Sequence, residues 1–203
     1  MPDGNLRDQK KIATRQALAE AAFNLAWERG VDGFVVEDIV RTAGYSRRTF
    51  ANYFSCKEEA IANALTMDDY SQRDGQFAFS TENYTPLDTI ELYIRGSFTI
   101  NKLRRLNQLV SLSRDYPALK LYVTGALMEV QDFAKRGISE AFGSDYPEEY
   151  YHILIGAVFG AILPVLDESI AVKLPEDGEQ GETDNEFNRY IDTVFAHLRK
   201  GFN

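Results

Sequence analysis

The stretch VEDIVRTAGYSRRTFANYFSCK, residues 36–57, narrows the possible folds of this chain more than any other. Apolar residues recur at helical spacing on both sides of Gly44, and glycine suits a sharp turn that needs positive φ. The small Ala43 before it allows two helices to approach closely. The pattern predicts one helix over Val36–Ala43 and a second that Ser46 caps and that ends near Phe54. Ile39, Phe50 and Phe54 are expected to form the small core that fixes the angle between them. Two short helices around a tight turn, the second opening on adjacent arginines, are how a helix-turn-helix sets a basic helix end in a DNA major groove.

That placement leaves Ser46, Arg47, Arg48, Thr49, Asn52 and Tyr53 facing outward or toward the groove. Arginine suits bidentate contacts to guanine, asparagine suits adenine, and the threonine methyl suits thymine. Tyr53 and Lys57 are expected at the far edge, where phosphates pass, and Lys57 opens the next helix, whose first amides favour an anion. Upstream, Arg7, Lys10, Lys11, Thr14 and Arg15 are expected to reach phosphates or the minor groove. By spacing alone, two solvated arginines on a short helix remain an alternative reading.

Net charge at first argues against DNA: the formal total is -9. Its distribution reverses the argument, because residues 1–57 carry 9 Lys and Arg against 7 Asp and Glu, whereas residues 58–203 carry 13 against 24. A mildly basic head on an acidic body is expected to touch DNA with the head alone. Cys56 is the one cysteine, so no intrachain disulfide can form, which fits a reducing cytoplasm. The N-terminal residues have no apolar segment of the signal-peptide kind. The longest apolar run, 153–166, is 14 residues long and interrupted by Pro164. It is short of the roughly 20 residues that span a bilayer, so it reads as a buried helix and no membrane partner is expected.

Helical periodicity dominates the rest. A helix is expected over about 9–29, with Ile12, Leu18, Ala22, Leu25 and Ala26 inward and Gly30 as its stop. Ser55 and Glu58 form a capping-box pattern, S-x-x-E, for the fourth helix. Thr85-Pro86 opens a helix to about residue 102, and a shorter one follows to about 114. Pro117 opens a long helix to Phe142, broken by Gly143-Ser144-Asp145, and Pro147 opens another reaching about Ala171. A Gly- and acid-rich loop over 173–185 precedes a second capping box, Thr183 to Glu186, which opens the last helix. The fold class is all-α with about nine helices.

Beyond these separate signals, the residues together resemble a family. Thr14-Arg15 with Leu18, Glu28-Arg29-Gly30, Val36-Glu37-Asp38-Ile39, Ala43-Gly44, Ser46, Thr49-Phe50, Tyr53-Phe54 and Lys57-Glu58-Glu59 are similar to the N-terminal signature of the tetracycline-repressor (TetR) family. The resemblance covers about residues 9–62. It implies a three-helix helix-turn-helix DNA-binding domain over residues 1–56 and a helical effector-binding and dimerisation domain over residues 57–203. It also implies a homodimer on double-stranded, palindromic operator DNA, acting as a repressor and released by a small lipophilic effector. Two positions depart from the signature. Val35 stands where Thr is usual, and a missing hydroxyl cap weakens an anchoring contact by roughly 1 kcal/mol. Ala51 stands where Tyr, another phosphate contact, is usual, and Arg48 replaces a commonly smaller residue.

In the body, the resemblance implies that the last two long helices pair with those of a second subunit. Gly156 and Gly160 flatten one helix face, flanked by Ile155, Phe159 and Leu163, while Phe187, Tyr190, Ile191, Val194, Phe195 and Leu198 cover more than one face of the last helix. That is a large apolar surface for a solvated helix; an intrachain core pair is the alternative. Candidate pocket residues are Phe77, Tyr93, Phe98, Leu109, Leu112, Tyr122, Met128 and Phe133, with ordinary core as the alternative. Glu91, Asp115, Glu129 and Asp132 nearby would suit a lipophilic cation or stand as surface acids. His152 and His197 form no catalytic constellation, so no enzyme activity, metal or cofactor is expected. A helical small-molecule-binding protein with degraded or non-specific DNA binding is the alternative function.

Overall fold

Wherever apolar side chains recur every three to four residues, the chain folds into helix. The computed structural model describes residues 3–65, 84–97, 100–174 and 185–201. Among them run nine α-helices and no strand: α1 Asp3–Arg29, α2 Val36–Ala43, α3 Arg47–Ala51, α4 Lys57–Asn63, α5 Pro86–Ser97, α6 Ile100–Asp115, α7 Pro117–Phe142, α8 Glu148–Leu166 and α9 Glu186–Lys200. Single 3-10 turns follow α1 at Val31–Gly33 and α7 at Gly143–Asp145. The expected all-helical class holds. The chain packs as two compact units: α1 to α4 with Gln108–Met128 of α6 and α7, and α5 with the first half of α6, the rest of α7, α8 and α9.

In the first unit α1 packs against α2 and α4, and α2 against α3. Leu18, Ala22, Leu25 and Ala26 of α1 are buried, with Ile39, Phe50, Phe54 and Ile61 from the helices around it. Each large apolar side chain so buried stabilises the unit by about 1.5–3 kcal/mol. Gly30 stops α1 with φ 74°, its N–H donating to the Ala26 carbonyl at 3.0 Å. A side chain there would also come within 3.3 Å of the Tyr116 hydroxyl, so both backbone and space select glycine. At its other end α1 begins at Asp3 rather than near residue 9. Arg7 therefore sits on the helix together with Lys10 and Lys11.

The fourth helix is capped one residue later than the S-x-x-E pattern predicts. Cys56 is the N-cap, its Sγ accepting the Glu59 N–H at 3.4 Å, while Glu59 Oε2 accepts from the Ser55 N–H at 2.7 Å and the Ser55 hydroxyl at 2.6 Å. Glu59 reaches back where Glu58 was expected to, because the acceptor must sit three residues after the cap.

The second unit bears out one capping motif and revises another. Thr85 Oγ1 accepts the Asp88 N–H at 3.2 Å and Asp88 Oδ2 accepts the Thr85 N–H at 3.1 Å, a reciprocal pair ahead of Pro86. The last helix is capped instead by Asn185, whose Oδ1 accepts the Asn188 N–H at 2.8 Å; Thr183 lies outside the described residues. Asn185 wins because its carbonyl oxygen reaches N3 directly. α8 ends at Leu166, short of Ala171. Pro164 removes one amide from its last turn, and Asn107 Nδ2 donates to the Leu166 carbonyl at 3.0 Å. By length and composition α8 could cross a membrane, yet Tyr151, Leu154, Ile155, Val158, Ile162, Val165 and Leu166 are buried within this unit.

A ladder of ion pairs ties α5 to α9. Arg199 bridges Asp88, at 2.8 Å, and Glu91, and Arg95 bridges Glu91, at 2.7 Å, and Asp192, at 2.5 Å. The hydrogen bond from Arg199, then that from Thr85, holds the Asp88 carboxyl down to about 2 from an ordinary 3.8. A carboxyl more acidic in the folded state contributes stability above pH 4 and loses it as pH falls toward 2. Arg199→Ala is therefore expected to lower the melting temperature at pH 7, by no more than about 1 kcal/mol of stability for so exposed a pair. In melts taken from pH 7 to pH 2, the gap from the parent should close below pH 4. A gap unchanged down to pH 2 would contradict this linkage.

Candidate nucleic-acid interface

The interface is built on the joint between α2 and α3. Gly44 ends α2 with φ 75° and ψ 29°, its N–H donating to the Val40 carbonyl, which also accepts the Tyr45 N–H at 2.9 Å. Nothing lies within 4 Å of where a side chain on Gly44 would stand, so the left-handed backbone alone requires glycine there. Ser46 then caps α3: its Oγ accepts the Thr49 N–H at 3.0 Å and shares a 2.8 Å hydrogen bond with Thr49 Oγ1. Beneath, Phe50 and Phe54 meet with ring centroids 5.6 Å apart, and with buried Ile39 they set the angle between the two helices.

Val35 caps α2 without a side-chain oxygen, as its apolar chemistry dictates. Asp38 makes up part of the loss, since its Oδ2 accepts the Val35 N–H at 3.0 Å and the same carboxylate pairs with Arg41. The Val35 amide first, and Arg41 as well, hold the Asp38 carboxyl below its ordinary value. The N-terminal turn of α2 thus keeps an acidic residue at the positive end of the helix dipole, although the Val35 side chain offers nothing polar to a phosphate.

Arg47, Arg48, Asn52 and Ala51 are exposed on α3 and its last turn, Thr49 and Tyr53 half-buried. Arg47 Nη1 pairs with Glu37 Oε1 of α2 at 2.7 Å. Arg48, and Lys10 and Lys11 on the exposed side of α1, have no hydrogen-bond or ion-pair partner for their side chains among the described residues. Thr14 Oγ1 donates to the Lys10 carbonyl at 2.8 Å. The arrangement presents four cations and an amide on a scaffold whose joint is fixed by packing, which is the chemistry that DNA recognition asks for.

The sequence model of the bacterial regulatory proteins of the tetR family matches residues 18–64, which span α1 from Leu18 through α4. Through these residues the chain carries a tetR-family DNA-binding domain. It is a DNA-binding transcription regulator. No curated protein gives a significant match to the chain.

Two cations expected at phosphates have structural tasks in this tetR-family head. Arg15 Nε donates to Asn63 Oδ1 at 2.9 Å and its guanidinium lies 5.4 Å from the centroid of the Phe54 ring, joining α1 to α4. Lys57 Nζ donates to the carbonyls of Val31, at 2.6 Å, and Phe34, at 3.1 Å, over the Phe34 ring. Both donate to oxygens of buried residues, Asn63 for Arg15 and Val31 and Phe34 for Lys57, which turns their side chains inward. Sequence reasoning passed over Glu37 and the exposed Tyr45. The spacing of Glu37 from Arg47 across the turn was the available signal.

The regulator's other expected sites are placed as follows. Ile155, Phe187, Ile191 and Phe195 are buried within the chain, Phe195 fully, in the second unit's own core. Phe159, Leu163, Tyr190, Val194 and Leu198 are half-buried on the flanks, and Tyr190 donates its hydroxyl to the Ala161 carbonyl at 2.7 Å. Gly156 and Gly160 face open space, on one strip with Ile153, which is 70% exposed and which sequence reasoning missed although it lies one turn before Gly156. Of the pocket candidates, Phe77 and Phe98 lie outside the described residues. Leu109, Leu112, Tyr122 and Met128 belong to the first unit, Tyr93 and Phe133 to the second. The hydrogen bond between Tyr122 and Cys56, at the start of α4, pushes the phenol up from its ordinary pKa. Glu91 is held by Arg95 and Arg199, and Asp115, Glu129 and Asp132 are exposed.

If Lys57 is an internal tie, Lys57→Met should lower the unfolding free energy by roughly 1–3 kcal/mol, since two carbonyls lose a charged donor. Urea titration reads this directly. A variant as stable as its parent would return Lys57 to the phosphates.

Proposed function

We propose that the chain acts as a homodimeric, effector-responsive repressor of transcription in the cytoplasm. The observation that carries this reading is the α2–Gly44–α3 joint, which fixes exposed Arg47, Arg48 and Asn52 beside one another in a tetR-family head. Residues 1–56 recognise DNA, with Ser46 and Thr49 at the start of α3 and Lys10, Lys11, Thr14 and Tyr53 toward phosphates. Residues 57–203 dimerise and bind effector, although α4 packs with the head. Two heads enter successive major grooves of a palindromic operator, one or more turns apart. Binding of effector favours a dimer whose heads are wrongly spaced, and its differential affinity for the two states drives release. With Glu91 already paired and the other nearby acids exposed, a neutral lipophilic effector suits the body better than a cation.

Selection of bound duplexes from random DNA should return a palindrome, and Arg47→Ala with Arg48→Ala should abolish that specificity without unfolding the protein. Unchanged affinity for the selected duplex in a gel-shift titration would sink the role given to α3. The second reading, a helical small-molecule binder without an operator, draws on Val35 and exposed Ala51. It would give salt-dependent but sequence-independent affinity.

Dimerisation is assigned to the strip of Ile153, Gly156 and Gly160 with the flanking Phe159, Leu163, Tyr190, Val194 and Leu198, where side chains remain open to a second copy. Gly160→Arg enters open space in the monomer and should leave the fold intact while shifting the dimer to monomer in sedimentation. Phe195→Asp should instead unfold the second unit. A Gly160→Arg variant that stays dimeric would move the interface elsewhere.

A further inference from the structure

We infer that Glu37 is a positioning residue for DNA recognition, one that makes Arg47 the base-reading arginine and leaves Arg48 to the phosphates. The inference rests on α3 being the recognition helix. Its basis is the 2.7 Å pair between Arg47 Nη1 and Glu37 Oε1, formed by side chains 76% and 52% exposed. A pair so open to water does little for stability. Nor is it needed to set the joint, which Gly44, Ile39, Phe50 and Phe54 already fix. Its effect is therefore on where the Arg47 guanidinium stands.

An unpaired arginine on a DNA-facing helix searches many rotamers and settles on whichever phosphate is nearest. Held at Nη1, Arg47 keeps its Nε and Nη2 donors as one planar edge pointed away from the carboxylate. That edge matches the two acceptors of guanine, O6 and N7. Against a base without that acceptor pair, the same geometry brings the Glu37 carboxylate toward the phosphates with no compensating bond. The pair thus works against wrong sites as well as for the right one. Arg48 leaves the helix about 100° round from Arg47 and has no partner among the described residues. It is at liberty to follow the backbone and supplies affinity without sequence information.

The test uses the full chain, a duplex selected by the parent from random DNA, and a scrambled duplex of equal length. Affinities for both are measured across salt concentrations for the parent, Glu37→Gln, Arg47→Ala and the double variant. Glu37→Gln should bind the scrambled duplex more tightly, with a salt slope steeper by about one, and its selected-to-scrambled ratio should fall about tenfold. In the Arg47→Ala background the same change should leave the ratio nearly unmoved. An equal effect in both backgrounds would mean that Glu37 merely repels phosphate, and would overturn the inference, as would an unchanged ratio in Glu37→Gln. A parent that selects no sequence at all would overturn the recognition-helix reading itself and this inference with it.

Discussion

The burial of the α1 stripe against α2 and α4 is the constraint on which the rest of the head depends. Leu18, Ala22, Leu25 and Ala26 are all but removed from water, and small alanines in that stripe let the partner helices come close. α3 is only five residues long, far below the length at which a helix is stable alone. It exists because Phe50 and Phe54 are pinned in the same core and because Ser46 satisfies its first amides. The surface offered to DNA is thus an outgrowth of packing directed away from it.

Charge in the head divides into cations that hold the fold and cations left to act. Arg15 and Lys57 face inward, each bonded to an oxygen of a buried residue. Lys10, Lys11 and Arg48 face water. The distinction matters because the head is only slightly basic: with two of its cations committed to structure, fewer remain to attract phosphates. Affinity that is sequence-blind is correspondingly limited, which favours discrimination by the groups that remain.

Much of this was legible in the sequence, for identifiable reasons. α2, its glycine stop and the Ser46 cap follow from local rules in which one residue type suffices, and the long helix α7 was bounded by proline and glycine on either side. What sequence could not supply was the second member of each long-range pair. Nothing local marks Lys57 as reaching Val31, 26 residues away, or Arg15 as reaching Asn63, 48 away. Likewise the apolar faces of α8 and α9 each had room for both an inner core and an outer strip. Periodicity puts Ile191 and Phe195 on one stripe, but only packing tells that this stripe is turned inward and that Ile153 is turned out.

The shortness of α3 also bears on why a second copy should be needed. A well-formed bidentate base contact discriminates by about 1–3 kcal/mol, whereas specific DNA binding typically stands about 4–10 kcal/mol above non-specific binding. One head offers a held Arg47, Asn52 and the Thr49 methyl, a set at the lower edge of that range. Doubling the set by two-fold symmetry brings it within the range, and does so only if the two heads keep a fixed spacing. On the proposed dimer that spacing would be set by the pairing of the bodies, where Gly156 and Gly160 face open space. In the dimer proposed above, the acidic body would control DNA without touching it, since a ligand that altered the pairing of two bodies would remove half of the specific contacts at once.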